Sequence, residues 1–84
     1  MKDEKTIRTR KLLTALNDYF NDVAYYDDDL EQEVIDSTED DCYNAIMTDD
    51  ELHLLGTEYV KSMIHIMFTD FDLFSTISIQ FKAF

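Results

Sequence analysis

From Leu12 to Ala24 apolar residues recur at three- and four-residue steps. Leu13, Leu16, Phe20 and Val23 form a stripe that Leu12, Tyr19 and Ala24 widen. That period predicts an amphipathic helix. Thr6 is placed to cap it, with residues 1–5 a frayed, charged start. The helical pattern breaks at Tyr25. From Leu30 to Ile35, Leu30 and Val34 face one way and Glu31, Glu33 and Ile35 the other, which predicts a short strand; a short helix capped by Asp29 is the alternative. Ser37 and Thr38 each have an aspartate three residues on (Asp40, Asp41), a doubled capping signal. It opens a helix from Glu39 to about Met47, with Cys42, Ala45 and Ile46 on one side. Thr48 and Glu51 repeat the signal for residues 49–55, and Gly56 suits the C-terminal cap.

Past Glu58 the pattern changes. Met63-Ile64-His65-Ile66-Met67-Phe68 is apolar on both parities, as in a central strand or a fully buried helix. Ile77, Ile79, Phe81 and Ala83 alternate with Ser78, Gln80 and Lys82, the mark of a half-buried strand, and Thr69-Asp70-Phe71-Asp72 suits a hairpin connection between the two segments. The sum is an α+β fold: two or three helices packed on a small antiparallel β-sheet, in a single domain spanning 1–84. The rival is a further helix over 49–67, whose spacing Leu52, Leu55, Tyr59, Met63 and Met67 fit.

Composition supports a folded chain. It is 45% hydrophobic with six Phe and five Tyr, whereas disordered acidic tails lack aromatics. Charge narrows the function. The net charge of −12 excludes ordinary nucleic-acid binding through phosphates and disfavours anionic membranes, leaving a basic protein as the expected partner. Between Leu12 and Val60 there is no Lys or Arg but fifteen Asp and Glu, and nine of these fall within residues 25–41. Five of the seven basic residues, Lys2, Lys5, Arg8, Arg10 and Lys11, lie at or before the first turns of the first helix. Pairing with the acidic body is the favoured reading of that cluster over a second binding patch. Cys42 is alone, so no disulfide can form within the chain. Residues 1–11 lack the apolar stretch of a signal peptide, and no apolar run reaches the roughly 18 residues of a membrane span. A cytoplasmic protein is expected.

Candidate catalytic and metal chemistry is thin. Asp27, Asp29 and Glu31 have the one-three-five spacing of a calcium loop, but Gln32 stands at its glycine position and Thr38 at its final glutamate. Cys42 reads as a small core residue. His53 and His65 lack a carboxylate orienter in the sequence, and there is no phosphate-binding glycine loop. The expectation is a non-enzyme without cofactor or metal. On a strand, Glu31 and Glu33 would stand about 6.6 Å apart on one face, comparable with the step between neighbouring phosphates. That points to imitation of a nucleic-acid backbone.

At Gln32-Glu33-Val34-Ile35, followed by an acid-capped helix bearing Cys42, Ala45 and Ile46, the sequence resembles the phage-type uracil-DNA glycosylase inhibitors. The resemblance implies a small acidic DNA mimic with two helices and an antiparallel sheet. Its edge strand would enter the DNA-binding groove of the enzyme, and an apolar pocket would enclose a leucine of that enzyme. Gln32, Glu33 and Ile35 match the edge-strand motif. Val34 stands where the family has serine, so Asp36-Ser37-Thr38 is an alternative working motif. Asp41 matches an acid on the following helix, and Cys42, Ala45 and Ile46 match pocket positions. The expected partner surface is therefore Glu31, Gln32, Glu33, Val34, Ile35, Asp36, Ser37, Asp40, Asp41, Cys42, Ala45 and Ile46. The expected function is inhibition of a host DNA-processing enzyme, with uracil-DNA glycosylase the leading target. Anti-CRISPR or anti-restriction mimicry is the alternative within that class, and an acidic adaptor binding a basic protein is the alternative outside it.

Overall fold

The computed structural model describes residues 3–82. Its first helix, α1 (Glu4–Val23), opens on Asp3, whose carboxylate accepts the Thr6 N–H at 2.7 Å. Asp3 rather than Thr6 is thus the cap, and residues 3–5 belong to an ordered helix start. The rest of the segment expected to fray, Met1 and Lys2, lies outside the described residues. Leu12, Leu13, Leu16 and Phe20 are buried along the predicted stripe, joined by Thr9.

Two antiparallel strands follow, β1 (Ala24–Asp27) and β2 (Gln32–Ile35), with Ala24 opposite Ile35 and Asp27 opposite Gln32. The Asp27 carboxylate accepts the N–H groups of Asp29 and Leu30 at 2.9 and 3.2 Å, which folds residues 28–31 into the turn. Glu31 sits there at φ 52°. The strand expected from Leu30 therefore begins two residues later, because the aspartate run spends its acceptors on closing a hairpin.

Helix α2 (Glu39–Ile46) starts where its capping signal predicted, with Thr38 Oγ1 accepting the Asp41 N–H at 3.1 Å. The next helix, α3 (Asp50–His53), is a single turn capped by Asp49, since the Thr48 hydroxyl donates back to the Ala45 carbonyl instead. Gly56 stands at φ 89°, ψ 145° and leads directly into α4 (Thr57–Thr69), breaking the continuous helix considered over 49–67. Asp70 then caps α5 (Phe71–Gln80), accepting the Leu73 N–H at 3.1 Å.

The C-terminal sheet is the main correction. The segment 63–68 is helical, the expected strand from Ile77 is helical as far as Gln80 and turns at Phe81 and Lys82, and 69–72 is a helix-to-helix corner. Val60, Met63, Ile64 and Met67 are buried at three- and four-residue steps, while Phe74 and Ser78 are buried four apart. The alternation of isoleucines does not set the buried face: Ile77 is half-buried against the core, but Ile79 is 64% exposed. Ala83, the last residue of the expected strand, lies outside the described residues. Among the described residues the fold is thus mostly helical, five helices with one two-stranded antiparallel sheet, and only broadly α+β.

One core joins the helices. Leu12, Leu13 and Leu16 from α1 meet Cys42 and Ile46 from α2, Leu52 from α3, Val60, Ile64 and Met67 from α4, and Phe74 from α5. Phe20 stacks on Phe71 with ring centroids 4.1 Å apart, and Phe71 meets Phe74 at 5.7 Å. Thr9 and Tyr59 share a hydroxyl hydrogen bond of 3.0 Å, and Arg10 Nε donates to the Phe81 carbonyl at 2.6 Å, joining the first helix to the end of the last. The body measures 48 × 25 × 18 Å. At 1.5 Å per residue α1 spans about 30 Å, and four-residue strands add about 13 Å plus a turn. The long dimension is reached by the hairpin continuing beyond the end of α1. Among the described residues, no helix is long and apolar enough to cross a membrane.

Candidate partner-binding surface

The hairpin presents its side chains in two sets. Ala24, Tyr26, Glu33 and Ile35 share one face, and Tyr25, Asp27, Gln32 and Val34 the other, because paired residues stand on the same side of a sheet. At its base Ala24 and Ile35 pack against the core. Farther out, Tyr25, Tyr26 and Leu30 are 52–59% exposed, and Asp28, Asp29, Glu31 and Glu33 surround them in solvent. The backbone N–H of Asp36 closes the hairpin on the Val23 carbonyl at 3.0 Å, and Ser37 is hydrogen-bonded through its hydroxyl to that of Tyr19.

The expected site residues divide into three groups. Glu31, Gln32, Glu33, Asp36, Asp40, Asp41 and Ala45 are exposed, while Val34, Ile35 and Ser37 are half-buried. Cys42 and Ile46 lie in the core at 0% and 6% exposure. Two expectations change as a result. Glu31 and Glu33 do not form a collinear strand pair, since Glu31 lies in the turn with a left-handed backbone. Nor do Cys42 and Ile46 line an open pocket, because α2 turns them inward between α1 and α4.

An open groove of mixed aromatic and polar lining lies elsewhere. Phe20, Glu33, Ile35, Met67, Phe68, Thr69 and Phe71 line a recess of about 320 Å³ between the hairpin base and the α4–α5 corner. Reading the C-terminal third as strands hid this groove. The surplus of aromatics in a short chain was the available signal, since a small core leaves some of them at the surface.

Cations are held away from the hairpin. Lys11 Nζ reaches Asp49 at 3.0 Å and Glu51 at 3.1 Å, and Arg8 pairs with Glu4 at 3.3 Å. The ammonium groups of Lys5 and Lys61 stand 5.0 Å from the ring centres of Tyr59 and Tyr43. Hydrogen bonds that Lys11 donates to Asp49 and then Glu51 raise its pKa, while those Asp49 accepts from Lys11 and then the Glu51 N–H lower its own. Among the described residues, the one basic side chain within 4 Å of a carboxylate of 27–41 is His65, whose Nδ1 lies 3.1 Å from Glu39 Oε1. His65 thus has a carboxylate partner that its sequence neighbours did not show, and His53 Nε2 lies 2.6 Å from the Met47 carbonyl oxygen.

Other chemistry finds little support. Burial, with the Glu39 charge adding to it, pushes the Cys42 thiol up to about 12, the opposite of an activated nucleophile. Among the described residues, no group of three or more His, Cys, Asp or Glu side chains could hold a metal ion. Asp27, first of the calcium-like spacing, turns its carboxylate back onto its own turn. Comparison with protein-family models, curated proteins and solved structures finds no match.

Proposed function

We propose that the protein is an acidic DNA-mimicking inhibitor that occupies the DNA-binding groove of a basic, DNA-processing protein. The observation that carries this reading is the projecting hairpin with the first turn of α2. There Asp28, Asp29, Glu31, Glu33, Asp36, Asp40 and Asp41 are exposed, while Lys5, Arg8, Arg10 and Lys11 are engaged elsewhere. Fixed carboxylates of one sign attract a cationic cleft at long range and repel nucleic acid, so the protein competes with DNA rather than binding it. Uracil-DNA glycosylase is the first target to assay, on the resemblance carried by Gln32, Glu33 and Ile35; nucleases of CRISPR and restriction systems belong to the same class.

The test is competition. Increasing protein is added to complexes of labelled DNA with a uracil-DNA glycosylase and with a panel of phage-defence nucleases, and bound DNA is followed by anisotropy. DNA release from at least one enzyme, weakened by salt and by the double change Asp28→Lys, Glu31→Lys, is the expected result. Undiminished excision at micromolar inhibitor removes the glycosylase as target. Retention of DNA by every enzyme removes the class.

A further inference from the structure

The groove between the hairpin base and the α4–α5 corner has a composition suited to one kind of side chain. Its floor carries aromatic and aliphatic side chains, Phe20, Ile35, Met67, Phe68 and Phe71, and Thr69 and Glu33 add polar lining. Its one charged lining group is the Glu33 carboxylate, which has no ion pair among the described residues. Directly opposite Glu33 in the ladder, on the same face, stands Tyr26, 59% exposed. A purely apolar guest would leave Glu33 facing it unpaired. A lysine would bring a compact, strongly hydrated charge against aromatic and aliphatic side chains. An arginine matches all three features: an aliphatic stem for the floor, a planar guanidinium that pairs two-point with a carboxylate, and a flat cation that stacks on aromatic faces.

We propose that this groove receives an arginine side chain of the basic partner, its guanidinium on Glu33 and its stem against Ile35 and Phe71. This rests on the reading above that the partner is a basic protein, and it names the group through which that partner is read. The groove turns general attraction between opposite charges into recognition of a residue that otherwise holds a phosphate.

Binding can be measured without knowing the partner. The full-length protein is titrated with acetyl-Gly-Arg-Gly-amide and with the lysine, citrulline and leucine equivalents, following the Ile35 and Met67 methyl resonances by NMR. The arginine peptide is expected to shift both and to bind about tenfold more tightly than the citrulline peptide, as loss of a charge-assisted contact implies. Glu33→Gln should remove that preference. Glu58→Gln, an equal loss of charge on the exposed first turn of α4, should leave it intact. Equal binding of the leucine peptide, or a Glu33→Gln variant that still prefers arginine, overturns the assignment. The two readings fail separately. Arginine selectivity in the groove with no DNA displaced from any enzyme sinks the mimic and keeps the groove, whereas displaced DNA without arginine selectivity does the reverse.

Discussion

The hydroxyl groups of Tyr19 and Ser37 share a hydrogen bond that ties the inner part of α1 to the segment leaving β2. Together with the Asp36 N–H on the Val23 carbonyl, it fixes the angle at which the hairpin leaves the helix. Tyr19→Phe keeps the ring and deletes only that bond. It should cost about 1 kcal/mol, the net worth of an ordinary hydrogen bond, and speed amide exchange in the hairpin more than in α4. Equal loss of protection in both would mean that the bond holds the whole fold rather than the hairpin.

The Lys11–Asp49–Glu51 contact has a defined pH signature. Asp49 has its pKa lowered on folding, so its contribution is present above the unfolded carboxylate range, near pH 4, and disappears as pH falls through the depressed folded value. For Lys11 the pKa is raised, so its contribution persists below about pH 10.4 and is lost as pH climbs past the folded value. The melting-temperature difference between the native chain and Asp49→Asn should therefore be constant near neutrality and shrink toward pH 2. A difference that grows on acidification would contradict the pairing.

Gly56 has open space where a Cβ would stand, with nothing within 4 Å, yet its backbone is at φ 89°, ψ 145°. Gly56→Ala should then destabilise by about 1–3 kcal/mol through strain alone. A denaturation midpoint unchanged by the substitution would show that the α3–α4 junction relaxes to another backbone conformation.

Self-repulsion among nineteen acidic side chains against seven basic ones opposes the folded state. Raising salt from about 0.01 to 1 M shortens the screening length from roughly 30 to 3 Å, and the melting temperature of the free protein should rise across that range. A melting temperature indifferent to sodium chloride would indicate that the exposed carboxylates are too dispersed to interact.

Where local signals and packing agreed, the sequence was readable. The stripe of α1 and the Thr38 cap of α2 both placed helices that packing then used. The C-terminal third misled because its buried stripe is chemically blurred. Ser78 is buried and Ile79 exposed, so the period of α5 is inverted at two adjacent residues and leaves an apparent alternation. In α4 the exposed His65 and half-buried Ile66 sit inside an apolar run that hides the spacing of Met63, Ile64 and Met67. β1 gave no alternation, since Tyr25 and Tyr26 both face solvent, and its turn lacks the glycine that usually marks a left-handed position, Glu31 occupying it instead. The candidate surface was legible as charge and illegible as shape. Nothing in Phe20, Phe68 and Phe71 as letters shows that a corner between two helices brings them to Glu33.

In α1 the cations Lys5, Arg8, Arg10 and Lys11 stand near the helix start, and Asp18 and Asp22 near its end, just before the acidic hairpin. Glu4 offsets Arg8, and Asp49 with Glu51 offsets Lys11, so the asymmetry along about 30 Å comes chiefly from the acids at the far end, in the same sense as the aligned peptide dipoles. In the field of a cationic cleft such a molecule feels a torque as well as a pull. Under the proposed function, that torque would turn the acidic tip forward before contact, so that collisions begin already aligned.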